Sequence, residues 1–513
     1  MNRLPGMFLC ALLLSNLSSM AQMTAADVTL IIRQAATRAK VVSKNSIIAV
    51  VDREGYVLGV WSTGPVPASP VVRDAKVATA ISKAGTAAFL SSDGEALTSR
   101  TAGFIVQQHF PPGVANKPPG PLVGVNFSNL PFSDINHLKN PATFQFGPGG
   151  LTGEGGINGA SIPGSSLGGT PGGVPLYKNG HCVGGVGVTG DGTETIQVFQ
   201  IADKDEDIAL AGQLGFAPII DILGSHVFID GIRLPYVNTA TLLLFPSPLA
   251  SLGTAIAAFP ITSSPPVLYP SVAFGKSLVE VRNPIRSDSI TTPINGQPRL
   301  SAFEVSQILT LAAEKARTTR AGIRLPKGKA AEVFITVVSN PGIPGAAPEV
   351  LGAIRTPDAT IFSWDVAVQK ARTAIFFSNN QRAFSSRTVG FLAQSAFPPG
   401  IANTAPGPFL GLQERYSGFA GYNTLNGAFV PKASAPNPNL PNGITIFPGG
   451  FPLYRNGILI GAIGVSGDGI DQDDLIAAAG TVNYLPPNSI RADFSAYRGA
   501  RLPYAKFPRD PEL

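Results

Sequence analysis

The chain has almost no cysteine. Of the two in its 513 residues, Cys10 lies inside an apolar run near the start, and Cys182 is left with no partner in the chain. No disulfide framework can therefore hold the fold, and stability must come from burial of apolar surface; Cys182 itself reads as a small core hydrophobe. Histidine is scarce as well. His109, His137, His181 and His226 are the whole set, none has a neighbour at ligand spacing, and none lies in the second half of the chain, which excludes a duplicated histidine-ligated metal site. Charged residues make up only 14% and no long Lys/Arg cluster occurs, so the net charge of +6 does not make the concentrated basic face that nucleic acid requires. No nucleic-acid partner is expected.

Long apolar spans are also missing. Residues 239–261 are apolar, but Pro246, Pro248 and Pro260 interrupt them and no basic flank marks an orientation, so they read as a packed linker rather than a membrane segment. Residues 1–21 combine Arg3, a short apolar core over 7–14 and the small-residue exit Ser19-Met20-Ala21, the pattern of a secretory signal with the mature chain starting at Gln22. Such a run is too short to span a bilayer permanently, and Cys10 lacks the small residue before it that a lipid-anchor site needs. The expectation is a secreted or periplasmic protein with no integral membrane segment after signal removal.

Glycine (57) and proline (46) are abundant, which means many turns and long connections. The chain also repeats itself. Residues 80–124 align without a gap on 367–411 at a constant offset of 287, carrying Lys83, Phe89, Arg100, Phe110 and Asn116 onto Lys370, Phe376, Arg387, Phe397 and Asn403. Residues 172–192 return at 449–469 and 231–236 at 499–504. The offset shrinks between blocks, which places the length differences in connections. The organisation expected is a signal peptide (1–21), a first module (22–237), a Pro/Ser-rich linker (238–298) and a second module (299–513).

Each module reads in the same order. Residues 25–40 and 301–318 have apolar positions at helical spacing, with Thr24 as N-cap of the first. Residues 46–52 and 56–61 form a hairpin, and 72–91 and 363–378 a helix. Asn179-Gly180 and Asn456-Gly457, each between apolar β-rich runs, predict type I′ hairpins. Helices over 204–212 and 472–480 follow. The long stretches 140–173 and 423–450 read as loops.

Gly185-Val-Gly187-Val-Thr-Gly190 fits a dinucleotide fingerprint, but it lies on the return strand of a hairpin rather than between a strand and a helix. Its glycines read instead as places where another backbone approaches the strand. Gly164-Ser-Ser166-Leu-Gly168 fits a nucleophile elbow by composition alone, with no flanking strand and helix. Arg100 and Arg387 could clamp a carboxylate of a ligand or hold the fold. Lys83/Lys370 and Asp191/Asp468 carry the same two readings.

The order of elements, with Val50-Val-Asp-Arg-Glu-Gly55-Tyr, Lys83-Ala84, Gly172-Gly-Val-Pro175, Asn179-Gly180 and Gly184-Gly-Val-Gly-Val-Thr-Gly-Asp191, resembles the GlcG/HbpS family of haem-binding proteins. The resemblance covers most of 24–212, and 301–480 less well, since Val337-Val-Ser339-Asn340 stands where the first copy has Val50-Val-Asp52-Arg53. It implies an α+β fold: two similar modules, each an antiparallel sheet of PAS- or profilin-like architecture flanked by helices, packed as a pseudo-dimer. It also implies haem as cofactor and a tendency to form homo-oligomers.

Haem iron takes His, Cys, Met or Tyr. The candidates are Tyr177 and Tyr454, present in both copies, and His181 or His109, replaced in the second copy by Ile458 and Ala396. Tyr177 and His181 are the candidate iron ligands, and Arg100, Asn116, Arg387 and Asn403 complete the ligand-binding set. The reading is an exported haem- or tetrapyrrole-binding protein, with two alternatives: a non-catalytic scaffold, or an enzyme acting on a small organic acid. No acid/base pair or nucleophile recurs in both copies, and no catalytic residue is assigned.

Overall fold

A computed structural model describes residues 22–513 apart from 107–109, 113, 115–119, 123–167, 194–200, 243, 267–268, 323–327, 344, 402, 414–418, 424–427, 432–438, 441–442 and 507–513. Residues 1–21, read above as a signal, His109, Asn116, His137 and most of the first glycine-rich loop lie outside the described residues.

The first module runs α1 (Ala25–Val42), the hairpin β1 (Ile47–Asp52) and β2 (Val57–Ser62), α2 (Pro70–Leu90), α3 (Ser99–Ile105), the hairpin β3 (Gly173–Lys178) and β4 (His181–Thr189), α4 (Lys204–Gln213), and the small hairpin β5 (Phe228–Ile229) and β6 (Ile232–Arg233). Then come β7 (Thr254–Ala255), β8 (Ser271–Phe274) and β9 (Ser277–Asn283). The second module repeats the order: α5 (Ala302–Thr318), β10 (Phe334–Ser339), β11 (Val350–Arg355), α6 (Ser363–Phe376), α7 (Ser386–Leu392), the hairpin β12 (Phe419–Asn423) and β13 (Ala428–Pro431), β14 (Gly450–Arg455), β15 (Ile458–Ser466), α8 (Ile470–Gly480), and β16 (Ala496–Tyr497) with β17 (Ala500–Arg501). The expected α+β architecture holds: each module is an antiparallel sheet with helices packed on it.

Local chemistry sets the starts and turns. The Thr24 hydroxyl accepts the Asp27 N–H while the Asp27 carboxylate accepts that of Thr24, and Ser301 and Glu304 repeat the device, so both first helices begin with a capping box. Val28, Ile31, Ile32 and Ala35 then face the core, as do Val305, Ile308, Leu309 and Ala312. Asn179 and Gly180 have φ of 54° and 83°, and Asn456 and Gly457 49° and 79°; both central residues of each turn are left-handed, as the Asn-Gly pair predicts.

The sheet orders are β3-β4-β1-β2-β7 and β14-β15-β10-β11-β9-β8. Residues 238–298 are thus more than a packed linker, because they supply an edge to each sheet. Ala255 pairs with Trp61, and Val281 with Ile354. Around that edge the Thr262 N–H reaches the Leu58 carbonyl (2.8 Å), and the Arg286 N–H the Leu351 carbonyl (2.9 Å). Apolar side chains of α2 and its face of the first sheet belong to one buried cluster with the second module's core, so the modules meet through an apolar seam. A separate cluster fills the α1/α4 face of the first sheet.

The central helix α2 packs backbone to backbone on β4 and β3. A Cβ added at Gly187 would stand 2.1 Å from the Ala80 carbonyl oxygen, one at Gly185 2.2 Å from that of Ala84, and one at Gly173 2.2 Å from that of Lys83. Gly464 and Gly450 repeat this against Ala367 and Lys370 at 2.0 and 2.3 Å. The fingerprint-like glycines are therefore a seat for a helix backbone.

Two predictions follow from this geometry. Gly187→Ala is expected to cost upwards of about 3 kcal/mol, because backbone must shift to admit the methyl. Gly180→Ala, whose added Cβ meets nothing within 4 Å, should cost only about 1 kcal/mol for its positive φ. Urea midpoints of the two variants check the order, and equal losses would contradict the packing argument. Asp52 accepts the N–H groups of Glu54 (3.0 Å) and Tyr56 (2.9 Å), yet burial dominates and pushes its carboxyl up to about 7. A carboxyl protonated in the fold but ionised in the unfolded chain lowers stability as pH rises from about 4 to about 7. Asp52→Asn should flatten that decline between denaturation midpoints taken at the two ends of this window.

Candidate functional site

The acidic start of α4 gathers hydrogen bonds and ion pairs from three other helices. Asp203 caps the helix by accepting the N–H groups of Asp205 (2.9 Å) and Glu206 (3.1 Å), and three carboxylates follow in the first turn, where the helix dipole favours negative charge. Each meets a cation from a different helix. Arg38 of α1 holds Asp207 (2.7 Å), Lys83 of α2 holds Asp205 (3.3 Å), and Arg100 of α3 holds Glu206 through Nε (2.7 Å) and Nη2 (3.0 Å). Lys83 Nζ also donates to the Val188 carbonyl (3.0 Å). Lys83, Asp205, Arg100 and Glu206 are almost completely buried.

The second module rebuilds the same clamp. Lys370 meets Asp473 (2.7 Å) and the Val465 carbonyl (2.8 Å), while Arg387 meets Asp474 through Nε (2.7 Å) and Asp471 through Nη2 (2.8 Å). Of the two readings of the paired arginines, the structural one is therefore what the geometry displays: their carboxylates are the chain's own. Lys83 and Lys370 resolve the same way. Asp191 accepts the Ser43 hydroxyl (2.8 Å), and Asp468 is buried.

The tyrosines are committed as well. Tyr177 is buried and its hydroxyl donates to the Ser92 carbonyl (2.6 Å), with the Glu95 carbonyl 3.1 Å away; Tyr454 does the same with Asn379 (2.8 Å) and Arg382 (3.0 Å). Burial pushes both phenols well above their ordinary range. Each pins the turn that follows the long central helix, and neither offers a phenolate. Asn403 is exposed with φ of 62°, a turn residue. Burial also pushes the Cys182 thiol up to about 11, so it is no ready thiolate.

His181 differs from all of these. It opens β4 immediately after the Asn179-Gly180 turn, its side chain is 51% exposed, and its Nδ1 lies 2.7 Å from Asp93 Oδ2. Asp93 Oδ1 accepts the Cys182 N–H (2.8 Å) and Arg53 Nη1 (3.0 Å). Burial opposes ionisation of Asp93, but Arg53 and His181 outweigh it and hold the carboxyl below its ordinary range. A carboxylate on one imidazole nitrogen fixes the tautomer and leaves Nε2 as the acceptor, the arrangement that supports a ligating histidine.

This group stands on the seam between the modules. Arg53 Nη2 reaches Asp358 of the second module (2.9 Å), and Asp358 accepts the N–H groups of Asp93 (2.9 and 3.0 Å) and Gly94 (3.3 Å). Beside it Arg282 forks onto Glu54 (2.6 and 2.9 Å) with its guanidinium 3.9 Å from the centre of the Tyr269 ring. Burial works against the Glu54 charge, but Arg282 prevails and the carboxyl falls to about 2. None of Arg53, Asp93, Asp358, Glu54 and Arg282 was a sequence candidate. The available signal was the contrast between Asp52-Arg53-Glu54 and Ser339-Asn340-Pro341 at matching positions.

An apolar cavity of about 70 Å³ also lies between the modules, lined by Leu90, Leu97, Ile105, Phe362 and Val366, with Lys370 and Asp473 on one wall. Of the described sequence candidates Lys370 alone lines it, so they do not converge on one cavity. Among the described residues no group of three or more His, Cys, Asp or Glu is placed to hold a metal ion, and no helix is long and apolar enough to cross a membrane.

Residues 320–481 match the family model described as haem degrading protein HbpS-like, and the GlcG/HbpS-like character read from the motifs stands on that match. It falls on the second module, a correction to the reading that the first copy keeps the closer pattern. The first copy carries the longer glycine-rich connection between the two conserved blocks of the repeat. Among solved structures, a PduOC:heme complex is 25% identical over 36% of this chain and 97% of its own (TM-score 0.23). Klebsiella pneumoniae protein ORFY is 22% identical over 38% and 95% (TM-score 0.23), and HbpS 18% over 39% and 96% (TM-score 0.23). No curated protein matches the chain.

The clamp carries its own test. Lys83→Met leaves Asp205 buried without its cation and is expected to cost about 3–5 kcal/mol. The double variant Lys83→Met/Asp205→Asn should recover a substantial part, and a double-mutant cycle by chemical denaturation measures it. Strict additivity of the two losses would show that the pair does not act as a pair.

Proposed function

We propose that the chain is an exported haem- or tetrapyrrole-binding protein with one competent module, the first, in which His181 is the residue that would hold the iron. The carrying observation is the Asp93–His181 pair at 2.7 Å, which presents a half-exposed imidazole with its second nitrogen unspent by that bond. Among the described candidates the donor chemistry supports a single site: the buried tyrosines donate to carbonyls, Cys182 stays a thiol, and the position matching His181 is Ile458. The apolar cavity, at about 70 Å³, is too small for a macrocycle, so binding is read at the His181 surface beside the seam. Bound iron porphyrin supplies redox and dioxygen chemistry; Asp93 holds the His181 ring, and Arg53 holds Asp93.

Export rests on the signal-like residues 1–21 and on how the next residues are tied down. Gln22 donates to the Pro265 carbonyl (3.1 Å), and Met23 is buried and accepts the Ser264 N–H (2.9 Å). A mature chain beginning at Gln22 keeps both contacts.

A second reading, a non-catalytic scaffold, draws on how many polar groups are spent on the fold and its seam. The organic-acid reading has lost its anchor, since Arg100 and Arg387 are paired with Glu206, Asp471 and Asp474.

Titration with hemin decides between binder and scaffold. The expected result is a saturable Soret shift at one haem per chain, weakened 10–100-fold by Asp93→Asn as is usual for the partner of a ligating histidine. His181→Ala should abolish it, while Tyr177→Phe and Tyr454→Phe should retain it. Two haems per chain, no saturation, or an unaltered titration of His181→Ala would remove the proposal.

A further inference from the structure

The apolar cavity of about 70 Å³ on the seam has no part in the His181 reading, since neither His181 nor Asp93 lines it. The first module supplies Leu97, Ile105 and Leu234 to its wall, all of them buried, and the second supplies Val366, Phe447, Ile470 and Ser466. The repeat shows what changed to make this wall. The first-module positions matching Val366, Phe447 and Ile470 are Thr79, Thr170 and Thr193, and Ser466 stands where the first module has Thr189. Three threonines are thus replaced by apolar side chains, and a fourth keeps its hydroxyl but loses its methyl. The changes come from α6, the loop before β14, the end of β15 and the start of α8, yet they meet at one space. The ion pair beside them, Lys370 on Asp473 (2.7 Å), is kept from copy to copy.

The wall sets the chemistry of what can enter. Ser466 is 4% exposed, and its hydroxyl bonds to no other side chain or backbone group among the described residues. Burying a hydroxyl unmet is costly, and on the wall of a cavity it can be met by an occupant. Charge is disfavoured in either sign. Lys370 and Asp473 neutralise each other on the wall, and the buried Glu95 lines it too, so an anion would meet two carboxylates and a cation the Lys370 ammonium. Size follows from volume: the space is about half of the roughly 150 Å³ that takes benzene, so it suits about three or four heavy atoms.

We propose that this cavity binds a small uncharged aliphatic molecule with a single hydroxyl or carbonyl group, its alkyl part against Leu97, Leu234 and Val366 and its oxygen on Ser466. An apolar lining with few placed polar groups is what small-molecule sites share. Ile470, which lines the cavity and is 45% exposed, marks the way in. So small a ligand binds weakly, in about the millimolar range.

Methyl-resolved NMR of the full chain from Gln22 tests this, with 2-propanol as the ligand probe, xenon as a probe of the apolar part, and acetate and isopropylammonium as charged counterparts of similar size. 2-Propanol and xenon should each give saturable shifts of the Leu97, Leu234 and Val366 methyls, and the two ions should leave them unmoved. Ser466→Ala should weaken 2-propanol about threefold to tenfold, the worth of one neutral hydrogen bond, with xenon binding unchanged. Val366→Phe fills the space and should abolish both. Val366→Ile, which adds a single carbon and keeps the fold, should weaken both. Shifts that never saturate, acetate binding as well as 2-propanol, or an unaltered 2-propanol titration of Ser466→Ala or Val366→Ile would each overturn the proposal. None of these measurements involves haem, so they stand or fall apart from the hemin titration.

Discussion

The contact on which most of the fold depends is a helix backbone laid directly on glycines of two neighbouring strands, β3 and β4. Glycines 173, 185 and 187 let α2 come down until its carbonyls would touch any added Cβ. Ala80, Ala84 and Ala88 keep the helix equally bare on that side. At this separation Lys83 can cross β4, donate to the Val188 carbonyl and reach Asp205 at the start of α4. A larger gap would strand an ammonium in apolar surroundings, which is costly. The position of α4, and with it the Arg100 and Arg38 pairs, follows from how closely α2 sits. The second module keeps Gly450 and Gly464 under the same helix and reproduces the Lys370–Asp473 pair.

What could be read along the chain was whatever is decided within a few residues. Capping boxes, Asn-Gly turns and 3.6-residue apolar spacing are local, and the helices and hairpins they mark stand within two or three residues of where the pattern puts them. Partners of buried charges are not local. Arg100 finds Glu206 across 106 residues, and Tyr177 finds the Ser92 carbonyl across 85. The repeat shows that such residues matter in both copies but not what they face, which is why ligand clamp and fold clamp stayed open for Arg100 and Arg387. Residues 238–298 were legible only as something packed. Strands of two to seven residues with prolines between them carry no period to detect, and their role at the sheet edges comes from the sheets.

The differences between the copies proved as informative as the identities. Asp52-Arg53-Glu54 against Ser339-Asn340-Pro341 looks like drift when read as a repeat. The seam gives it a cause: a charge survives where a partner faces it. Arg53 and Glu54 meet Asp358 and Arg282, while the matching positions of the second module, with no such partner among the described residues, are neutral. A buried charge is tolerable only when paired, so the asymmetry of the sequence is an imprint of the direction in which the modules are joined.

His181 inherits that asymmetry. Its orientation depends on Asp93, whose other oxygen is shared between Arg53 and the Cys182 amide, and whose own N–H is tied to Asp358. The imidazole is therefore held by a hydrogen-bond chain that ends on the other module. Such networks stiffen when every member is satisfied and loosen together when one is removed. The second module has Ile458 and Asn380 at the corresponding places and can build no equivalent. One module thus supplies the imidazole and the other fixes the carboxylate that aims it, which makes the joined pair, rather than either module alone, the unit that presents this side chain.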